Sequence, residues 1–186
     1  MFAEEFYTFH IRLLMLKPKT PHQSQVIMTE MVLPNDTNTL SNLMGGRLLH
    51  WMDICAAISA QKHSNRIVVT ASVDNVSFSE PIRLGNIVTM KAKVTRSFNS
   101  SMEVFLEVWA EDIPAGVRVS TNRAFYTFVA VDQNGRPIEV PHLEPETDEE
   151  KSLFVSALRR RQLRLVLAGR MKASEATELK ALFEEQ

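Results

Sequence analysis

The chain contains one cysteine, Cys55, among 186 residues. That excludes a disulfide framework within the chain, and a lone thiol in an apolar run favours a cytoplasmic setting. No charge of one sign dominates: 21 Lys and Arg stand against 22 Asp and Glu, for a net charge of -1. No strong overall field therefore points to nucleic acid or an anionic membrane as a partner. No apolar stretch reaches the roughly 18 residues needed to span a bilayer, so no membrane span is expected. The motifs of several large enzyme classes are also missing. There is no G-x-S-x-G elbow for a serine nucleophile. Neither G-x-x-x-x-G-K-[ST] nor G-x-G-x-x-G is present to cradle a nucleotide. H-E-x-x-H is absent and the five histidines lie far apart, so no metal site is expected.

What is present is an ordinary globular profile, 45% hydrophobic and 23% charged, with enough length for a real core. Residues 1–20 read as an N-terminal arm ending at "KPKTP". Two early acids and the lack of a basic n-region argue against a signal peptide. A first strand is expected over 24–33, broken by Pro34. A helical pattern follows from about Leu43 to His63. Leu48, Met52, Cys55 and Ser59 form one stripe, with Leu49, Asp53, Ala56 and Ala60 beside it. Apolar residues nearly surround this helix, which predicts burial on most sides. Four strands are then expected over 66–78, 86–97, 101–112 and 117–132. The third alternates cleanly, with Met102, Val104, Leu106 and Val108 on one face and Glu103, Phe105, Glu107 and Trp109 on the other. Strand, helix, four strands and short turns make an α+β order with antiparallel pairing. From about Asp148 the pattern becomes two helices split near Gly169, with Ser174 a candidate cap for the second. The run "RRRQLR" at 159–164 reads as a solvated helix face.

The stretch "NDTNTLSNLMGGRLLHWMDICAAI", residues 35–58, carries the chemistry. Gly45 and Gly46 precede the long helix, where a ligand can approach the backbone closely. The helix start offers unpaired N–H groups and partial positive charge, which can stabilise an oxyanion. Plain turn chemistry is the simpler account of a Gly pair. Asp53 is harder to dismiss. A carboxylate in an apolar helix must pair, become neutral or face a wet cleft. It lies about two turns from the glycines, or ~10 Å along the axis, so both groups of one chain are not expected on one atom. By themselves, Asn38 reads as a turn residue, and His50 and His63 as surface or packed histidines.

Four segments taken together resemble one known family. They are "NDTNTLSNLMGGRLLHWMDICAAISAQKHS", "VVTASVDNVSFSEPIRLGN", "SSMEVFLEVWAED" and "AFYTFVAVDQNGRP". Over residues 24–142 they resemble the hot-dog-fold acyl-CoA thioesterases, in particular the branch holding bacterial short-to-medium-chain and brain-type cytosolic enzymes. The resemblance implies an α+β hot-dog domain over 21–145, with a curved antiparallel sheet around a central helix. Residues 146–186 would be a C-terminal helical extension. It implies hydrolysis of an acyl-CoA to CoA and a carboxylic acid, with CoA as part of the substrate and no cofactor. The family's catalytic acid falls on Asp53, its Asn on Asn38 and its Gly pair on Gly45 and Gly46. Subunits pair as a homodimer, often as three dimers in a hexamer, so that Asn38 and the Gly loop of one chain face Asp53 of the other. Substrate contacts are expected at Met44, Val69, Thr70, Ser100 and Ser101. Met44 stands where some relatives carry His or Phe, and Glu80 where Arg is common. Two other readings compete: a non-catalytic CoA-ester sensor, and a dehydratase, which lacks the usual His beside its acid.

Overall fold

The structure, a computed structural model, describes residues 16–74, 76–78 and 80–184. Most of the expected N-terminal arm, residues 1–15, lies outside that range. The chain divides into two compact units between Glu144 and Pro145.

The first unit holds a one-turn helix α1 (Pro21–Ser24), β1 (Val26–Met31), the long α2 (Gly45–Ser64), β2 (Ile67–Asp74), β3 (Ile87–Ser97), β4 (Ser101–Asp112) and β5 (Val117–Val131). The strands form one antiparallel sheet in the order β1-β3-β4-β5-β2. β2 leaves α2, crosses to the far edge and pairs with β5. The helix touches all five strands, so the sheet curves around it. This is the expected α+β hot-dog fold.

Periodicity explains the core. Met52, Cys55, Ala56 and Ala60 recur at helical spacing and are fully buried. Against them lie alternate residues of the strands: Val88, Met90 and Ala92 on β3, Met102, Val104, Leu106 and Val108 on β4, Tyr126 and Phe128 on β5. The small Cys55, Ala56 and Ala60 let the helix sit close to the sheet. Burial raises the pKa of the Cys55 thiol to about 11, so it stays protonated and inert. α2 ends at Asn65, whose left-handed φ of 53° lets its N–H reach Gln61 O at 2.7 Å.

The structure corrects several expectations. α2 is not buried on most sides: His50 and Ile58 are exposed, and Leu49 and Asp53 are half-buried. The first strand stops at Met31, because Pro34 opens a 3-10 turn, Pro34–Asp36. The second stops at Asp74 rather than running to residue 78. The second face of β4 is mixed in burial. Phe105 is buried against Phe125, with ring centroids 5.0 Å apart. Glu103 is buried too, its Oε1 accepting from Thr95 Oγ1 at 2.8 Å.

The second unit is a helical hairpin, α3 (Asp148–Leu167) and α4 (Thr177–Glu184). Thr147 caps α3 in a capping box, its Oγ1 accepting from Glu150 N at 3.2 Å while Glu150 Oε2 accepts from Thr147 N at 3.2 Å. Gly169 has φ of 66°, which ends the first helix where the sequence placed the break. Ser174 does not cap the second helix. It sits in a 3-10 turn, Ala173–Glu175, ahead of α4. The arginine run is half-buried rather than fully solvated, and Arg160 donates to Ser156 Oγ at 2.8 Å and Leu153 O at 3.0 Å.

His63 gives the fold a pH dependence. It is fully buried, Nε2 donates to Pro141 O at 2.9 Å, and Nδ1 has no partner among the described residues. Burial outweighs that hydrogen bond and lowers its pKa to about 4, with the Lys19 charge adding to the effect. The unfolded chain binds this proton near pH 6.5 and the folded chain only near pH 4, so stability is lost as pH falls through that window. The loss reaches about 3 kcal/mol. Melting temperatures of wild type and His63→Gln between pH 7 and 4 test this. The variant is expected to fall less steeply, and parallel curves would contradict the assignment.

Candidate active site

Asp36, which lies in the 3-10 turn after β1, builds the front of the site. Its side chain is only 6% exposed. Oδ2 accepts from Leu33 N at 3.0 Å and Oδ1 from Arg47 Nε at 2.7 Å. Its backbone oxygen accepts from Met44 N at 2.9 Å. One buried residue thus ties the strand exit, the N-cap of α2 and the first helical turn together. Met44 is that N-cap, with its side chain 40% exposed.

Gly45 and Gly46 are the first two helical residues, and neither has a positive φ. The turn account of the pair therefore does not apply. Gly45 is small because the Phe78 ring lies against it: a Cβ there would meet Phe78 Cζ at 3.3 Å. A Cβ on Gly46 would meet nothing within 4 Å, so this glycine keeps space open. No acceptor among the described residues takes either N–H.

That space is a cavity of about 630 Å³. One wall is the helical stripe Gly46, Leu49, His50 and Asp53, at spacings that place them on one face. The opposite wall is Val73, Val76, Phe78 and Tyr126. Gly46 and Asp53 of one chain therefore do share a cavity, though about two turns apart along it. Asp53 Oδ1 accepts from Thr70 Oγ1 at 2.9 Å. Of the outcomes open to a carboxylate in an apolar helix, this chain takes two together: a hydroxyl partner and an open cleft. Tyr126 is 1% exposed and stacked on Phe128, with centroids 6.1 Å apart. Burial first, then the Asp53 charge, hold its phenol well above its ordinary pKa, so it keeps its proton.

The other expected residues lie elsewhere. Asn38 is exposed and does not line the cavity. Its Oδ1 accepts from Leu40 N at 2.9 Å and Asn42 N at 3.2 Å, and among the described residues its amide N–H groups have no acceptor. Val69 is 48% exposed on the edge strand β2, next to Thr70. Ser100 and Ser101 lie at the β3–β4 turn, outside the cavity wall. Register puts Val69 and Ser101 opposite Val129 from either side, so β5 separates them. Sequence reasoning missed Asp36, Tyr126 and the place of His50. The stripe through Gly46, His50 and Asp53 was the only signal that could have found His50.

The thioesterase superfamily profile matches residues 40–117. An uncharacterized acyl-CoA thioester hydrolase of Bacillus subtilis is 44% identical over 138 residues, covering 74% of this chain and 80% of that protein. Mouse acyl-coenzyme A thioesterase 11 is 40% identical over 149 residues, which cover 80% of this chain but only 25% of the longer mouse protein. Among solved structures, an apo-hexameric acyl-CoA thioesterase superposes with a TM-score of 0.79 at 39% identity, over 82% of this chain and 97% of the other. An acyl-CoA hydrolase of Staphylococcus aureus, solved with butyryl-CoA, CoA and CoA disulfide, gives 0.75 at 36% identity over 88% and 98%. That enzyme has also been solved with an asparagine, an aspartate and a threonine each replaced by alanine. The intervals between those three positions equal those between Asn38, Asp53 and Thr70. The chain is a hot-dog-fold thioesterase. It belongs to the acyl-CoA thioester hydrolases of that superfamily.

Proposed function

We propose that this chain hydrolyses the thioester of an acyl-CoA to free CoA and a carboxylic acid. The observation that carries the reading is the Asp53 carboxylate, anchored by Thr70 at 2.9 Å on the wall of a largely apolar cavity. Free N–H groups of a helix start stand at the far end of that wall. Water is the only co-substrate, so the reaction calls for no cofactor or metal.

In the reaction, the water oxygen bonds to the carbonyl carbon and the C–S bond breaks. Asp53 takes the water proton and passes it to the departing CoA sulfur. Alternatively it attacks the carbonyl itself, and water then opens the mixed anhydride. The Gly45 and Gly46 N–H groups polarise the thioester oxygen. Asn38 comes from the partner subunit. Its Oδ1 is held by its own loop, so the amide N–H groups are what it offers across the interface. The acyl chain lies on Leu49, Val73, Val76 and Phe78. Met44 borders the entrance, and the pantetheine runs past Val69 and Thr70, with Ser100 and Ser101 contributing from the neighbouring turn.

The edge strand β2 gives the route to the partner. Ile67, Val69 and Val73 are 60%, 48% and 42% exposed, and an open apolar edge calls for a second strand. Pairing with a second copy there makes a homodimer, and the hexamer known for its relative makes a trimer of dimers the further assembly. The single reduced thiol fits action in the cytoplasm. Residues 21–145 are assigned as the catalytic domain and 146–186 as a helical extension.

Release of free thiol from a panel of short to long acyl-CoAs tests the activity. Turnover of at least one ester is expected, and no release from any would leave a CoA-ester binding module. Mixed oligomers test the shared site. Asp53→Asn and Asn38→Ala subunits, each inactive alone, are expected to regain activity when refolded together, because one of the two sites in a mixed dimer is then intact. No recovery would place Asn38 in the same subunit's site as Asp53.

A further inference from the structure

One residue of the cavity wall carries a polar group that the reaction above does not use. Tyr126 is 1% exposed and its hydroxyl has no hydrogen-bond partner among the described residues. Most buried polar groups are paired, because leaving one unpaired costs roughly 1–3 kcal/mol. A phenylalanine would pack the same volume without that cost. The ring is held firmly, stacked on Phe128 at 6.1 Å, and its strand register places it opposite Val73 and Val104. It is also one of the residues that line the cavity with Asp53.

We propose that the Tyr126 hydroxyl is a hydrogen-bond donor of the reaction centre, kept for the oxygen acceptor that enters the cavity beside Asp53. The proposal rests on the thioesterase reading above. The acceptor is the attacking water or the carbonyl oxygen of the bound ester, which offer the same lone pairs. A phenol held protonated has a proton to donate, which an ionised carboxylate lacks, so its role is separate from that of Asp53. Thr70 serves one carboxylate oxygen, and Tyr126 serves what the carboxylate acts upon. The unpaired hydroxyl is then a form of preorganisation: its desolvation is met on folding, and the hydrogen bond is recovered only when substrate or water arrives.

Tyr126→Phe removes the one oxygen and little else. Wild type, Tyr126→Phe and Thr127→Val should be compared with an ester that wild type turns over. Thr127 is the control, because its hydroxyl is likewise buried and unpartnered, one residue along the strand and not on the cavity wall. Both variants are expected to melt at or above the wild-type temperature, since neither loses a hydrogen bond of the free protein. Only Tyr126→Phe is expected to lose activity, by roughly 10-fold or more. A fall in kcat at constant KM assigns the hydroxyl to the attacking water or the transition-state oxygen. A rise in KM at constant kcat assigns it to the carbonyl of the bound ester. Unchanged kcat and KM in Tyr126→Phe overturns the proposal. So does an equal loss in Thr127→Val, or a Tyr126→Phe loss accompanied by a lower melting temperature, since each marks a structural hydroxyl. If wild type releases no thiol from any ester, the thioesterase reading itself falls, and this inference falls with it.

Discussion

Replacing Asp53 with Asn is expected to cut thioester turnover by roughly 10²- to 10⁴-fold, the usual contribution of a positioned general base. The variant suits the purpose because it changes charge and not shape. Thr70 Oγ1, which donates to Asp53 Oδ1 at 2.9 Å, can donate equally to an amide oxygen. Asp53 is half-buried on the cavity wall, so no packed core is disturbed. The melting temperature should therefore hold while kcat falls. Thr70→Val keeps the carboxylate and loses only its anchor, so its effect should be smaller. Single turnover in ¹⁸O-water tests the direct route: label incorporated into Asp53 marks a mixed anhydride opened at the Asp53 carboxyl carbon. Wild-type turnover in Asp53→Asn would remove the carboxylate from the mechanism altogether.

The second large effect is expected at a residue outside the cavity. Asp36→Ala removes the acceptor for both Leu33 N and Arg47 Nε. The aspartate is nearly buried but Arg47 is 37% exposed, so water can recover part of the arginine's interaction. The destabilisation is accordingly set at about 2 kcal/mol rather than the larger cost of a fully buried pair. Activity should fall as well, because Asp36 anchors the turn that leads into Met44, Gly45 and Gly46. A displacement of about 1 Å in a positioning group can cost about 100-fold in rate. Asp36→Asn keeps a neutral acceptor for the backbone and should lie between wild type and Ala. Thermal melting and kcat/KM measured on the same samples check both parts. A destabilised Asp36→Ala with undiminished kcat/KM would limit the residue to folding.

How much of this was legible beforehand depends on the range of each interaction. The strands over β3, β4 and β5 were read within a residue or two, because alternation of buried and exposed positions is a local pattern. The same holds for α2, whose apolar stripes repeat at helical spacing. Local rules failed where one element's burial depends on another. Apolar residues nearly all round α2 predicted burial on most sides, yet Ile58 and His50 are exposed, because the sheet covers only part of its circumference. Alternation on β4 sorted its residues into two faces but not their burial, and Glu103 is buried with a partner on β3. Ser174 had the chemistry of a cap, but a short 3-10 turn took the position before the helix began.

By itself the sequence determined the order of elements, the two faces of β4 and the helix that carries Asp53. These follow from spacing along a single segment. Only the tertiary structure decided which groups meet. Thr70 reaches Asp53 because β2 returns along the helix, and Tyr126 joins them because β2 pairs with β5. Asp36 reaches Arg47 because the loop after β1 folds back on the helix start. Such contacts join residues 11 to 17 or more positions apart through the register of strands and the path of a loop. No local period encodes that register. It is set by the simultaneous burial of many side chains, which is why an acid can be recognised in the sequence while its partners cannot.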